Sequence, residues 1–157
     1  MILKRQLSKN DLPHGTLIAI PIDENRFALS QIYVPGIVFY LLIYDTIGSI
    51  LKISQSPPKS IIMSSWTNDA EIFHDRWKII GRKNILIPFK EPEYKIFSIG
   101  IEYIESFDGH DRRPAGLSAT DLSFRTSRSP ALVSKAVRAF YGFSERDKTF
   151  EKMLYKQ

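Results

Sequence analysis

The chain has 157 residues, 43% of them hydrophobic and 25% charged, with a formal net charge of +5 and no cysteine. That size and balance fit one globular domain able to bury a core without metal or disulfide help, and exclude disordered and fibrous classes. The lack of cysteine removes a disulfide framework, thiolate metal sites and thiol catalysis, and is compatible with a reducing cytosol.

The start, MILKRQLSKND, brings in charge at Lys4 and Arg5 and offers no apolar core for a secretion signal. The longest apolar run, residues 37–44, is eight residues, where a membrane-spanning helix needs about 20. A cytoplasmic protein with no membrane association is therefore expected. Charge is uneven along the chain. Residues 1–108 hold 12 Lys and Arg against 12 Asp and Glu, whereas residues 109–157 hold 10 against 5. A partner docking near the C-terminal third is expected to be acidic rather than basic.

Residues 15–34 predict a hairpin. Residues 16–21 are rich in β-formers, Asp23-Glu24-Asn25 supplies the turn, and residues 26–34 continue as a second strand. Asn25 tolerates a positive φ, which suits a tight turn there. In the second strand Phe27, Leu29 and Tyr33 share one face with Gln31, the polar exception. After Pro35-Gly36, every residue of 37–44 is apolar, the pattern of a strand covered on both sides; a buried helix is the competing reading, but the length and the Phe, Val and Tyr content favour the strand. Residues 46–55 suit a short helix or a loop, residues 60–66 a strand, and Asn68 or Asp69 the cap of one helical turn through Phe73. Extended structure is expected at 77–81 and again at 85–89, where Pro88 places the strand at an edge.

Residues 95–104 alternate cleanly, with Phe97, Ile99, Ile101 and Tyr103 on one face and Ser98, Gly100 and Glu102 on the other. Residues 107–128 carry turn formers throughout and little periodicity, the mark of a long loop. A helix follows, with Ser129 as N-cap, Pro130 at the first helical position and Gly142 as the C-terminal cap. Its apolar face holds Leu132, Val133, Ala136, Val137, Phe140 and Tyr141. Residues 144–155 suit a second helix that buries Phe150, Met153 and Leu154. The layout predicts an α+β, mostly β fold: an antiparallel sheet, strongly twisted or barrel-like, with one or two C-terminal helices. One domain over residues 1–157 is expected, with a β-rich body at 1–106, a long basic loop at 107–128 and a helical part at 129–157.

His14, His74 and His110 are scattered and none has a two-histidine ligand spacing. His74-Asp75 and His110-Asp111 pair an imidazole with a carboxylate, which suits either acid–base work or ordinary surface positions. No serine-nucleophile or phosphate-cradling signature is legible. No catalytic, cofactor-binding or metal-binding residue is expected. Arg112, Arg113, Arg125 and Arg128 fall in the basic loop, with Lys135 and Arg138 shortly after, and a guanidinium grips carboxylates and phosphates in pairs. A solvated loop, an acidic protein partner and a nucleic-acid module with Phe124 or Tyr141 for stacking all remain open. Trp66 and Trp77 flank a short turn, as packing residues or as interface anchors. Candidate partner contacts are therefore Trp66, Trp77, Arg112, Arg113, Arg125 and Arg128.

Residues 15–81 carry a further pattern. Gly15 opens an extended stretch that reaches Ile20-Pro21; Arg26, Phe27 and Ala28 follow the turn; an aromatic strand ends in Tyr44-Asp45; and Trp77 leads into Ile79, Ile80 and Gly81. This pattern resembles the immunity protein 26 family of bacterial polymorphic-toxin and contact-dependent inhibition systems, although Asn25 stands at a turn where a glycine is common. The resemblance implies an antitoxin that binds and neutralises one cognate protein toxin without a cofactor. The basic C-terminal third points to a toxin with an acidic docking surface, whereas a nuclease toxin would call for an acidic partner. Nucleic acid is a partner only under the alternative reading.

Overall fold

The computed structural model describes residues 12–116 and 121–156. The charged start at residues 1–11, expected to hold no secretion signal, and residues 117–120 of the expected loop lie outside the described residues. The chain divides into two compact units, Met1–Pro88 with Ser127–Gln157 and Phe89–Thr126.

The larger unit contains β1 (Thr16–Pro21), β2 (Phe27–Val34), β3 (Val38–Gly48), α1 (Ile50–Ile53), β4 (Ile61–Asn68), α2 (Ala70–Phe73) and β5 (Lys78–Arg82). The smaller unit supplies β6 (Tyr94–Ser98), β7 (Ile101–Glu105) and β8 (Arg112–Pro114), after which α3 (Pro130–Phe140) and α4 (Lys148–Met153) complete the larger one. The five strands of the larger unit pair antiparallel in the order β4-β3-β2-β1-β5. The expected α+β, mostly β class is the class observed. The sheet is open, with β4 and β5 at its edges, so the barrel-like geometry is not adopted. No helix of the described residues is long and apolar enough to cross a membrane.

The unbroken apolar run is the second strand of the sheet, and every residue from Phe39 to Tyr44 is buried. Phe39, Leu41 and Ile43 join Ile18, Ile20, Ala28, Ile32 and Met63 in the main core, against Val133, Ala136 and Val137 of α3 and Phe150 and Met153 of α4. Leu42 and Tyr44 fill the opposite face, which α1 covers with buried Ile53. A strand with both faces covered needs no polar alternation, which is why the sequence shows none.

α3 begins where its caps place it. The Ser129 hydroxyl accepts from the Leu132 N–H at 3.3 Å, and Pro130 opens the first turn. Gly142 follows the C-cap with φ of 83°, the Gly142 N–H donates to Ala139 O and the Phe143 N–H to Arg138 O, which uses up two of the helix's last carbonyls. Leu132 departs from the expected apolar face and is 41% exposed. α4 buries Phe150 and Met153, and Asp147 caps it by accepting from the Phe150 N–H at 3.0 Å.

The first hairpin turns by a different device from the one expected. Asn25 is not among the residues with positive φ. Instead one Asp23 carboxylate oxygen accepts the Asn25 and Arg26 N–H groups at 3.0 and 2.8 Å, and the Arg26 guanidinium closes on the other oxygen. Gly15 needs its identity for a sharper reason. Its φ is 88°, and a Cβ there would fall 2.3 Å from the Lys83 carbonyl oxygen.

Gln31 is the polar exception of β2 and is fully buried. Its amide nitrogen faces the carbonyls of Gly15, Lys83 and Asn84 at 3.2, 2.9 and 3.1 Å, while its oxygen accepts from the Tyr44 hydroxyl at 2.6 Å and the Leu86 N–H at 3.2 Å. The segment expected as an edge strand at 85–89 is therefore irregular: the Leu86 amide is bound by a side chain instead of a neighbouring strand.

Burial pushes the Tyr44 phenol from its ordinary 10.0 up to about 12. Between those values the unfolded chain releases this proton and the folded chain keeps it, so ionisation favours unfolding. Stability is expected to hold below pH 10 and to fall as pH rises through about 12, with Tyr44 contributing on the order of 2–3 kcal/mol. Tyr141, pushed up to about 12 mainly by burial, adds to the same fall. Denaturant unfolding at stepped pH checks this: the slope should flatten in Tyr44→Phe, and an identical slope in both proteins would contradict it.

Candidate protein-binding surface

The smaller unit is built on an antiparallel sheet in the order β6-β7-β8. Its core holds Tyr94, Ile104 and Phe107, with the Tyr94 and Phe107 rings stacked at 6.3 Å and Phe89 set edge-on to Phe107 at 6.1 Å. The stretch expected as one alternating strand is in fact a hairpin. Ser98 pairs with Ile101, and the chain reverses at Ile99 and Gly100, whose φ angles are 50° and 74°. Positive φ at both central residues is the two-residue turn whose twist matches the flanking strands.

Isoleucine is a poor residue for that position. A β-branched side chain in the left-handed region costs about 1–2 kcal/mol. Ile99 is nonetheless 98% exposed, with Phe97 at 66% and Ile101 at 51% beside it. Phe124, 52% exposed, bridges to Lys95 along the outer side of β6, and the Lys95 ammonium lies 5.0 Å from its ring centre. The exposed apolar cluster therefore sits on a strained turn, the kind of feature that suits a binding surface.

The expected basic loop carries regular structure at its start. Residues 106–111 close by mutual hydrogen bonds between Ser106 and Asp111, and Asp108 accepts from the Ser106 hydroxyl and the His110 N–H at 2.6 and 2.9 Å. The chain then adds β8 to the sheet. The arginines of this stretch do not form one patch. Arg113 grips Glu93 through both guanidinium nitrogens, one at 2.9 Å, and holds that carboxyl below the usual range. Arg112 lies 3.4 Å from Glu105. Arg125 sits 4.5 Å from the centre of the Tyr94 ring, donates to Phe107 O and Ser106 O at 2.8 and 3.2 Å, and is 3.8 Å from Glu105. It latches its own unit.

Arg128 belongs to the larger unit, where its N–H donates to Trp66 O and its side chain to the Ser65 hydroxyl at 3.2 Å. Trp66 is half-buried on β4, with its ring edge-on to Tyr40 at 5.0 Å. Trp77 is 1% exposed and its indole N–H donates to Ser134 on α3 at 2.8 Å, so it is a core residue and presents no surface to a partner. Of the six candidates, then, Trp66 and Arg128 meet, three arginines brace the smaller unit, and Trp77 is inside. The exposed hairpin tip went unread, and Gly100 inside an otherwise alternating run was the one signal for it.

His74 and Asp75 close α2, with the Asp75 carboxylate 3.0 Å from Lys78 and the His74 ring edge-on to Phe73. His14 meets the Tyr33 carbonyl. Comparison with protein-family models, curated proteins and solved structures found no match.

Proposed function

We propose that this chain is an immunity protein, which binds a cognate bacterial protein toxin in the cytoplasm and neutralises it by non-covalent association. It makes and breaks no bond itself and takes no cofactor. The observation that carries the reading is the exposed apolar tip of the β6–β7 hairpin, a group of side chains suited to a macromolecular partner. The resemblance carried by residues 15–81 supplies the class of partner. The alternative, a nucleic-acid-binding module using the basic C-terminal third, draws no support from Arg112 and Arg113, which pair with Glu105 and Glu93.

Co-expression tests the proposal. Cells making the product of the neighbouring gene should survive when this chain is made with it, and the two proteins should co-purify. Death of the cells despite abundant folded immunity protein would end the reading.

A further inference from the structure

The hairpin tip is apolar on three sides. Cross-strand partners share a face, so the pairing of Phe97 with Glu102 and of Ser98 with Ile101 sets Phe97 and Ile101 on opposite faces of the ribbon, and Ile99 caps its end. A flat helix or sheet laid against the ribbon would cover one of those sides. A recess covers all three.

Charge narrows the occupant. The +5 of the whole chain is not shared evenly: the smaller unit holds five Lys and Arg against seven Asp and Glu, and the larger holds 17 against 10. Of the four arginines that make the 107–128 sequence look basic, Arg112, Arg113 and Arg125 lie beside Glu105 and Glu93 of the smaller unit, and Arg128 belongs to the larger one. Glu102 stands on the ribbon directly opposite Phe97. The apolar finger therefore projects from an acidic body.

We propose that the β6–β7 hairpin inserts as a finger into an apolar recess of the toxin, rimmed by lysine and arginine side chains. This rests on the immunity reading above and names the docking element and the chemistry of its partner. It also departs from the expectation of an acidic docking surface, which came from the ten cations of residues 109–157: seven of those belong to the larger unit, and the unit that carries the finger holds only three. A membrane rich in anionic lipid is the other place for an apolar finger, and the acidic body disfavours it.

Ile99→Asn separates binding from folding. Asn-Gly is the best pair for this turn, so the variant should fold and melt no lower than the parent while losing the apolar cap. It is expected to weaken toxin binding about tenfold, and the double variant Ile99→Asn/Phe97→Ser about a hundredfold or more, with loss of rescue in the co-expression assay. Glu102→Lys should slow association about tenfold at about 50 mM salt and far less at roughly 0.5 M, where screening removes the steering.

Rescue by the parent but not by the folded double variant supports the finger. Rescue by both overturns the finger and leaves the immunity reading standing. Failure of the parent itself removes both. Binding of the parent to phosphatidylglycerol–phosphatidylethanolamine vesicles, lost in Ile99→Asn, would assign the hairpin to lipid and overturn the proposal.

Discussion

Trp77→Ala is expected to remove about 3–5 kcal/mol of folding stability, the range for emptying a large buried aromatic site. Trp77 is 1% exposed and belongs to the same core as Phe39, Leu41, Val133 and Val137. Its loss also leaves the Ser134 hydroxyl without the indole N–H that it accepts at 2.8 Å. Trp77→Phe keeps much of the volume and loses that hydrogen bond, so about 1–2 kcal/mol is expected. Urea denaturation reads both, with the midpoint moving and the slope unchanged. A loss below about 1 kcal/mol for the alanine variant would show that the site collapses on itself and that Trp77 does not pin α3 to the sheet. Under the proposed immunity role, neutralisation by such a variant should fall only as far as its folded fraction falls.

Gln31→Met is expected to cost about 3 kcal/mol while nearly conserving side-chain volume. The substitution removes the amide that the carbonyls of Gly15, Lys83 and Asn84 face, and leaves the Tyr44 hydroxyl and the Leu86 N–H without their acceptor. Each buried group left unpaired carries a desolvation penalty. Hydrogen exchange gives a local readout: the Leu86 amide should lose its protection while the amides of β3 keep theirs. Tyr44→Phe alone should cost about 1–1.5 kcal/mol, and the two changes together less than their sum because they delete one shared bond. Full additivity, or unchanged exchange at Leu86, would contradict the account of residues 83–86 as held by this side chain.

Much of the larger unit was legible because its signals are local. The unbroken run at 37–44 favours a strand covered on both sides over a buried helix by its length and β-forming residues, and Phe39 to Tyr44 are buried while Ile37 and Val38 at its start are exposed. Ser129-Pro130 and Gly142 bracket α3 through capping groups within a few residues of one another. The smaller unit was misread for the converse reason. Ile99 is among the worst residues for a turn of positive φ, so propensity argued for one long strand through the place where the chain reverses. The pairing of Arg113 with Glu93 joins groups 20 residues apart, and only the β6-β7-β8 register brings them together. Without that register the arginines read as a basic patch.

The residues that carry the family resemblance do structural work. Gly15 admits the Lys83 backbone, Arg26 closes the Asp23 turn, Tyr44 holds Gln31, and Trp77 docks α3. Burial works against ionisation of Asp45, but the N–H groups of Lys59 and Ser60, at 2.9 and 3.2 Å, outweigh it and hold the carboxyl below its usual range. That clamp ties β3 to the start of β4. None of these residues lies on the β6–β7 hairpin, the element to which the proposed function assigns recognition.

Calorimetric titration of the purified protein into the purified product of the neighbouring gene tests the central claim most directly. The account predicts a stoichiometric complex, a Kd on the order of nanomolar, a negative heat-capacity change from apolar burial, and loss of toxin activity in the same cell. Heats of dilution alone, with a toxin shown to be active, would contradict it.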